Sequence, residues 1–135
     1  MISVAEALQR ILNGVHMMPT ETINLAAAHG RVLARDVVAR VTQPPTDVSA
    51  MDGYAVRAGD VGSVPVTLTQ IGESAAGKAF AGSIGPGQTV RIFTGAPVPK
   101  GADAIVIQED TEVSGDQITM TEAATQGRFV RPAGL

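Results

Sequence analysis

Glycine and proline punctuate this chain so densely after Thr42 that regular helices are excluded there. The whole sequence of 135 residues carries 15 glycines and 8 prolines. Pro44-Pro45 breaks any regular element, and residues 42 to 53 read as an ordered loop. Beyond it, short apolar and β-branched runs alternate with Gly-rich turns. They are Val66 to Ile71, Gln88 to Phe93, Ala104 to Gln108 and Gln117 to Thr121, and Gly115-Asp116 reads as a hairpin tip. Many short strands at close spacing predict a barrel-like or coiled β-sheet.

The first forty residues follow a different rule. Ser3-Val4-Ala5-Glu6 fits a capping box, in which Ser3 accepts from helix amides and Glu6 reaches back. Val4, Leu8, Ile11, Leu12 and Val15 recur at helical spacing, with Gly14 as a stop signal. After Pro19, the alternation in Glu21 to Leu25 predicts a short strand, and Ala26 to Leu33 a further short helix. The expected fold class is therefore α+β, mainly β.

Bulk properties narrow the function. The formal charge of -3 gives no electrostatic footprint for nucleic acid, and 3% aromatic content with no Trp offers no base-stacking platform. The absence of cysteine removes disulfides, thiolate catalysis and Cys-type zinc sites. The apolar runs are too short for a helical membrane span, and no basic segment followed by a hydrophobic one marks a secretory signal. A cytoplasmic protein is the expectation, with neither nucleic acid nor membrane as partner.

Two loop-like motifs carry the chemistry. One is Ser49-Ala50-Met51-Asp52-Gly53-Tyr54-Ala55-Val56-Arg57. The other runs from Thr94-Gly95-Ala96-Pro97-Val98-Pro99 through Lys100-Gly101-Ala102-Asp103 to Ala104-Ile105-Val106. Each sets a small polar residue beside a glycine, which lets the backbone approach a ligand closely. In this order they resemble the molybdopterin molybdenumtransferase family. The likeness extends to the helix near Ala5 to Leu12, to Gly30 through Val37, and to a closing Arg131-Pro132-Ala133-Gly134. Family members are much longer, so the resemblance implies an N-terminal part of a larger protein.

The resemblance implies a β-rich domain, residues 42–124, inserted into a discontinuous domain made of 1–41 and 125–135. It implies an enzyme that inserts molybdenum from molybdate into adenylylated molybdopterin with a divalent cation such as Mg2+, releasing AMP. It also implies a homodimer in which the β-rich domain of one subunit completes the pterin site of the other. A non-catalytic interaction module of the same architecture is the alternative.

Within that reading Asp52 and Thr94 are the catalytic candidates. An isolated Asp-Gly ordinarily caps a turn, and a Thr at a strand end ordinarily bonds its own loop. In the family the corresponding residues face the active cleft, where Asp52 would hold the cation. Ser49, Gly53, Gly95 and Arg131 are the cofactor-binding candidates, Arg131 as a guanidinium for a phosphate. Pro97 and Pro99 stiffen the second loop. This sequence departs from the family at Thr46 and Val48, where Phe and Asn are common, and at Leu135, where Glu is common.

Other chemistries are poorly represented. Gly72 through Lys78 matches most of a P-loop, but Ala79 replaces the Ser or Thr that ligates magnesium. The glycines and proline between Phe80 and Gly87 also make a poor helix. A simple turn is expected there. His16 and His29 are not spaced as a helical metal pair, and no Gly-x-Ser-x-Gly elbow exists. Thr94-Gly95-Ala96 is similar to an aspartic-protease loop, but Phe93 stands where its Asp would be.

Overall fold

The computed structural model describes residues 1–135 and separates into two compact units, Met1–Val38 and Ala39–Leu135. The first contains one α-helix, α1, Val4–Asn13. Ser3 caps it by accepting from the Glu6 amide at 3.2 Å. Glu6 does not complete the capping box: its carboxylate takes Arg10 at 2.9 Å, the i,i+4 pair. Gly14 ends the helix as expected, in a right-handed rather than left-handed conformation.

The expected strand over Glu21 to Leu25 and the helix over Ala26 to Leu33 do not form. Only a short 3-10 turn appears, Leu25–Ala27, because the Asn24 side chain accepts from the Ala26 amide at 3.0 Å. That local bond bends the chain where alternation alone predicted extension. The first unit buries no side chain: Val4, Leu8, Ile11, Leu12 and Val15 of α1 are all exposed.

The second unit holds eight strands: β1 (Val48–Ser49), β2 (Gly53–Val56), β3 (Val66–Ser74), β4 (Gln88–Ile92), β5 (Ala104–Ile107), β6 (Thr111–Ser114), β7 (Gln117–Met120) and β8 (Val130–Arg131). Six form one curled, half-barrel sheet in the order β5-β2-β4-β3-β7-β6. All neighbours are antiparallel except β3 and β4. The four strands foreseen from sequence are present, and Gly115, with φ of 64°, turns the β6–β7 hairpin. The strands β1, β2, β6 and β8 were not foreseen.

Alternation along β2 and β5 supplies a core to both faces of the sheet. Tyr54, Val56, Ala104 and Val106 pack with Val61, Leu68, Ile118, Met120 and Ala124 on one side. Ala55 and Ile105 pack with Ile92 and Ala96 on the other. Gly53 lies buried between β4 and β5. A Cβ there would stand 2.1 Å from the Val106 carbonyl oxygen, so no larger residue fits this pairing.

The remaining two strands pair separately, β1 against β8, with Val48 opposite Arg131 and Ser49 opposite Val130. Strand β8 falls within the same compact unit as the rest of Ala39–Leu135. The P-loop-like segment is a turn, as expected: β3 runs on to Ser74, and Ala75 and Lys78 exchange backbone hydrogen bonds of 2.9 Å each way.

Candidate functional site

The two motifs meet at one end of the sheet. Register places them there: Tyr54 lies opposite Arg91 on β4 and opposite Val106 on β5. Side chains two residues along a strand share a face. Asp52 therefore comes beside Phe93 and Gln108, just past the last paired residues. The Gln108 amide donates to the Asp52 carbonyl at 3.2 Å, which fixes the backbone carrying the carboxylate.

Asp52 and Thr94 form a direct pair. The Thr94 amide and the Thr94 hydroxyl both donate to Asp52 Oδ1, each at 2.7 Å. Oδ2 receives no bond from the chain and stays open. The Thr94 amide first, then its hydroxyl, hold the Asp52 carboxyl below the ordinary aspartate range; partial burial opposes this, and the nearby Arg91 charge assists. At neutral pH the group is an anion with one oriented and one available oxygen.

Ser49 is buried and plays a scaffolding part. Its hydroxyl donates to the Met51 carbonyl at 2.5 Å and accepts from the Met51 amide at 3.3 Å, closing the turn that leads into Asp52. Its backbone staples the second motif to the first: the Ser49 amide donates to Ala96 at 2.9 Å, and the Gly95 amide donates to Ser49 at 2.8 Å. Ser74, also buried, donates to the Pro97 carbonyl at 2.8 Å and anchors the same loop from β3.

Gly95 is exposed, has a φ of +80°, and has open space where a Cβ would project. It lines a cavity of about 340 Å3 together with Pro44, Thr46, Pro97 and Arg131. Thr46 and Val48, two of the three positions at which the sequence departs from the expected pattern, line this same cavity. Arg131 and Gly95 are thus brought together, and neither Asp52 nor Thr94 lines that cavity. Gly53 is a packing residue by its geometry, enclosed between strands.

No group of three or more His, Cys, Asp or Glu side chains gathers into a metal-binding cluster. A cation at this end of the sheet could take one carboxylate, Asp52 through Oδ2. That suits Mg2+, which takes few carboxylates and fills its remaining positions with water and phosphate oxygens. No helix is long and apolar enough to cross a membrane.

Sequence reasoning missed Arg91 and Gln108. Arg91 Nη1 donates to the Gly53 carbonyl at 3.1 Å and Nη2 to Gln108 Oε1 at 2.6 Å. Its guanidinium carbon lies 5.1 Å from the Tyr54 ring centre and 4.9 Å from that of Phe93. A single charge inside the apolar run Val90-Arg91-Ile92 was the one available signal.

Comparison with known proteins identifies the family to which this fold belongs. The family described as "MoeA N-terminal region (domain I and II)" matches residues 2–135. A molybdopterin molybdenumtransferase of Nostoc sp. is 42% identical over 116 residues, which is 83% of this chain and 27% of that protein. Molybdopterin molybdenumtransferase 2 of Mycobacterium tuberculosis is 44% identical over 117 residues, 84% of this chain and 29% of its own. The solved molybdopterin biosynthesis moeA protein from Pyrococcus horikoshii OT3 superposes with a TM-score of 0.78 at 36% identity, covering 96% of this chain and 36% of that one. The chain therefore spans under a third of the length of these two curated relatives. A family match over all but the first residue, with Asp52 and Thr94 joined by two hydrogen bonds inside the matched fold, places this chain in the MoeA N-terminal region family.

Proposed function

We propose that this chain is the N-terminal part of a molybdopterin molybdenumtransferase and supplies one wall of its active site. The observation that carries the reading is the Asp52–Thr94 pair, which unites the two motifs and leaves one carboxylate oxygen free. The reaction inserts molybdenum from molybdate into adenylylated molybdopterin and releases AMP. The sulfur ligands of the metal belong to the substrate, so the protein's tasks are positioning and charge stabilisation.

Asp52 is oriented by Thr94 before any ligand arrives, so binding does not have to order it. Its Oδ2 would be the protein ligand of Mg2+, which when bound would offset phosphate charge. Gly95 keeps the cavity rim free of side chain, and Arg131 presents a cation for a phosphate or molybdate oxygen. The rest of the pocket, including the pterin contacts, comes from the longer protein and from its partner in a homodimer. In that protein residues 1–41 and 125–135 make the discontinuous domain and 42–124 the inserted one, and the enzyme works in the cytoplasm. Residues 1–135 alone are expected to have no turnover.

The test is Asp52→Asn in the full-length dimer. The expected result is an unchanged fold by circular dichroism and a loss of molybdenum insertion by at least roughly tenfold, the scale on which positioned ligands and their supports act. Wild-type insertion by this variant removes Asp52 from the site and overturns the reading.

A further inference from the structure

Arg91 is half-buried, lies on the face that carries Asp52, and belongs to neither motif. Three contacts define it. One arm of the guanidinium holds the Gly53 carbonyl at 3.1 Å, the residue next to Asp52. The other holds Gln108 Oε1 at 2.6 Å, and the backbone N–H of the same Gln108 donates to the Asp52 carbonyl at 3.2 Å. The guanidinium carbon lies over the rings of Tyr54 and Phe93, with Phe93 directly preceding Thr94. The three strand ends that carry Asp52, Thr94 and Gln108 thus converge on one fork-shaped cation.

We propose that Arg91 is the positioning residue of this site, locking the ends of β2, β4 and β5 so that Asp52 and Thr94 keep their mutual geometry. This rests on the reading of Asp52 given above. A guanidinium suits the task because its donors are planar and rigid and its faces stack on aromatic rings. A lysine has one compact head on a flexible stem. It keeps the charge but does not hold the Gly53 carbonyl and Gln108 in one fixed plane while covering both rings. The charge of Arg91 also favours the ionised form of Asp52.

The experiment is a double-mutant cycle in the full-length dimer, measuring kcat and KM for molybdate in molybdenum insertion. Arg91→Met alone is expected to lower kcat roughly 10- to 100-fold, as losses of supporting contacts do, with KM changed far less. On the Asp52→Asn background the same change is expected to cost almost nothing further, because its effect passes through Asp52. Arg91→Lys is expected to recover only part of the lost kcat. If Arg91→Met lowers the yield of folded dimer, Gln108→Leu removes one anchor from an exposed residue, and wild-type kcat in that variant overturns the proposal. An equal loss from Arg91→Met with and without Asp52 overturns it too. Wild-type kcat in Arg91→Met beside a crippled Asp52→Asn sinks the role of Arg91 alone. Full turnover in Asp52→Asn sinks the function reading itself.

Discussion

At the scale of single residues, the Asp52 carboxylate is the group whose environment sets a measurable pH dependence. Two donors from Thr94 stabilise its charged form, so its folded pKa lies below the unfolded value. For a depressed aspartate, the stabilisation is fully present above the unfolded pKa, about 4. It is lost as the pH falls through the folded value. In metal-free protein, the difference in thermal midpoint between wild type and Asp52→Asn is expected to be constant from neutral pH down to about 4. Below that it should shrink. Melts across this range check it, and a difference that persists unchanged into strong acid contradicts the assignment. The two motifs that carry Asp52 and Thr94 were legible from sequence because they are specific in residue type and order, whereas the two hydrogen bonds that join them were not. Arg91 was not, since an arginine inside a strand acquires meaning only when register sets it opposite Tyr54 and two residues from Thr94's neighbour.

At the scale of elements, β2 is the strand on which the site depends, and its closeness to β5 leaves no room at Gly53. Gly53→Ala puts a methyl carbon 2.1 Å from the Val106 carbonyl oxygen, backbone that cannot move without opening the β2–β5 pairing. Overpacking of this kind costs about 1–3 kcal/mol or more. Denaturant unfolding of the variant is expected to show that loss; unchanged stability means that β5 yields more easily than this register suggests. Sequence reading made Gly53 a cofactor-binding candidate and did not foresee its strand packing, because close approach to a cofactor and close approach to a strand demand the same residue. It missed β2 as a strand for a related reason, since a four-residue run beginning with glycine inside a loop-like motif has little alternation to display. It succeeded with β3, β4, β5 and β7, whose β-branched runs are long enough to stand out between turns. It failed over Glu21 to Leu33, where the Asn24 cap, a single side-chain bond, outweighed pattern.

At the scale of the whole molecule, burial is unevenly shared. Every buried core residue lies in Ala39–Leu135, whereas Met1–Val38 has none. A helix of ten residues without tertiary burial is marginal in water. In hydrogen exchange on residues 1–135, the amides of α1 are expected to exchange at near-unprotected rates, and those of Val56, Val90 and Ile105 to be the slowest. Strong protection in α1 would show that its exposed apolar stripe is covered in solution.

The pairing of β1 with β8 has a consequence for how such a unit can be handled. Val48 and Arg131 sit side by side although 82 residues separate them in the chain, counting positions 49 to 130. Both loose ends of the β-rich cassette therefore leave through one neck. A body tethered at a single point can be grafted into an unrelated host loop, or have its ends rejoined and its sequence reopened elsewhere, without stretching its sheet.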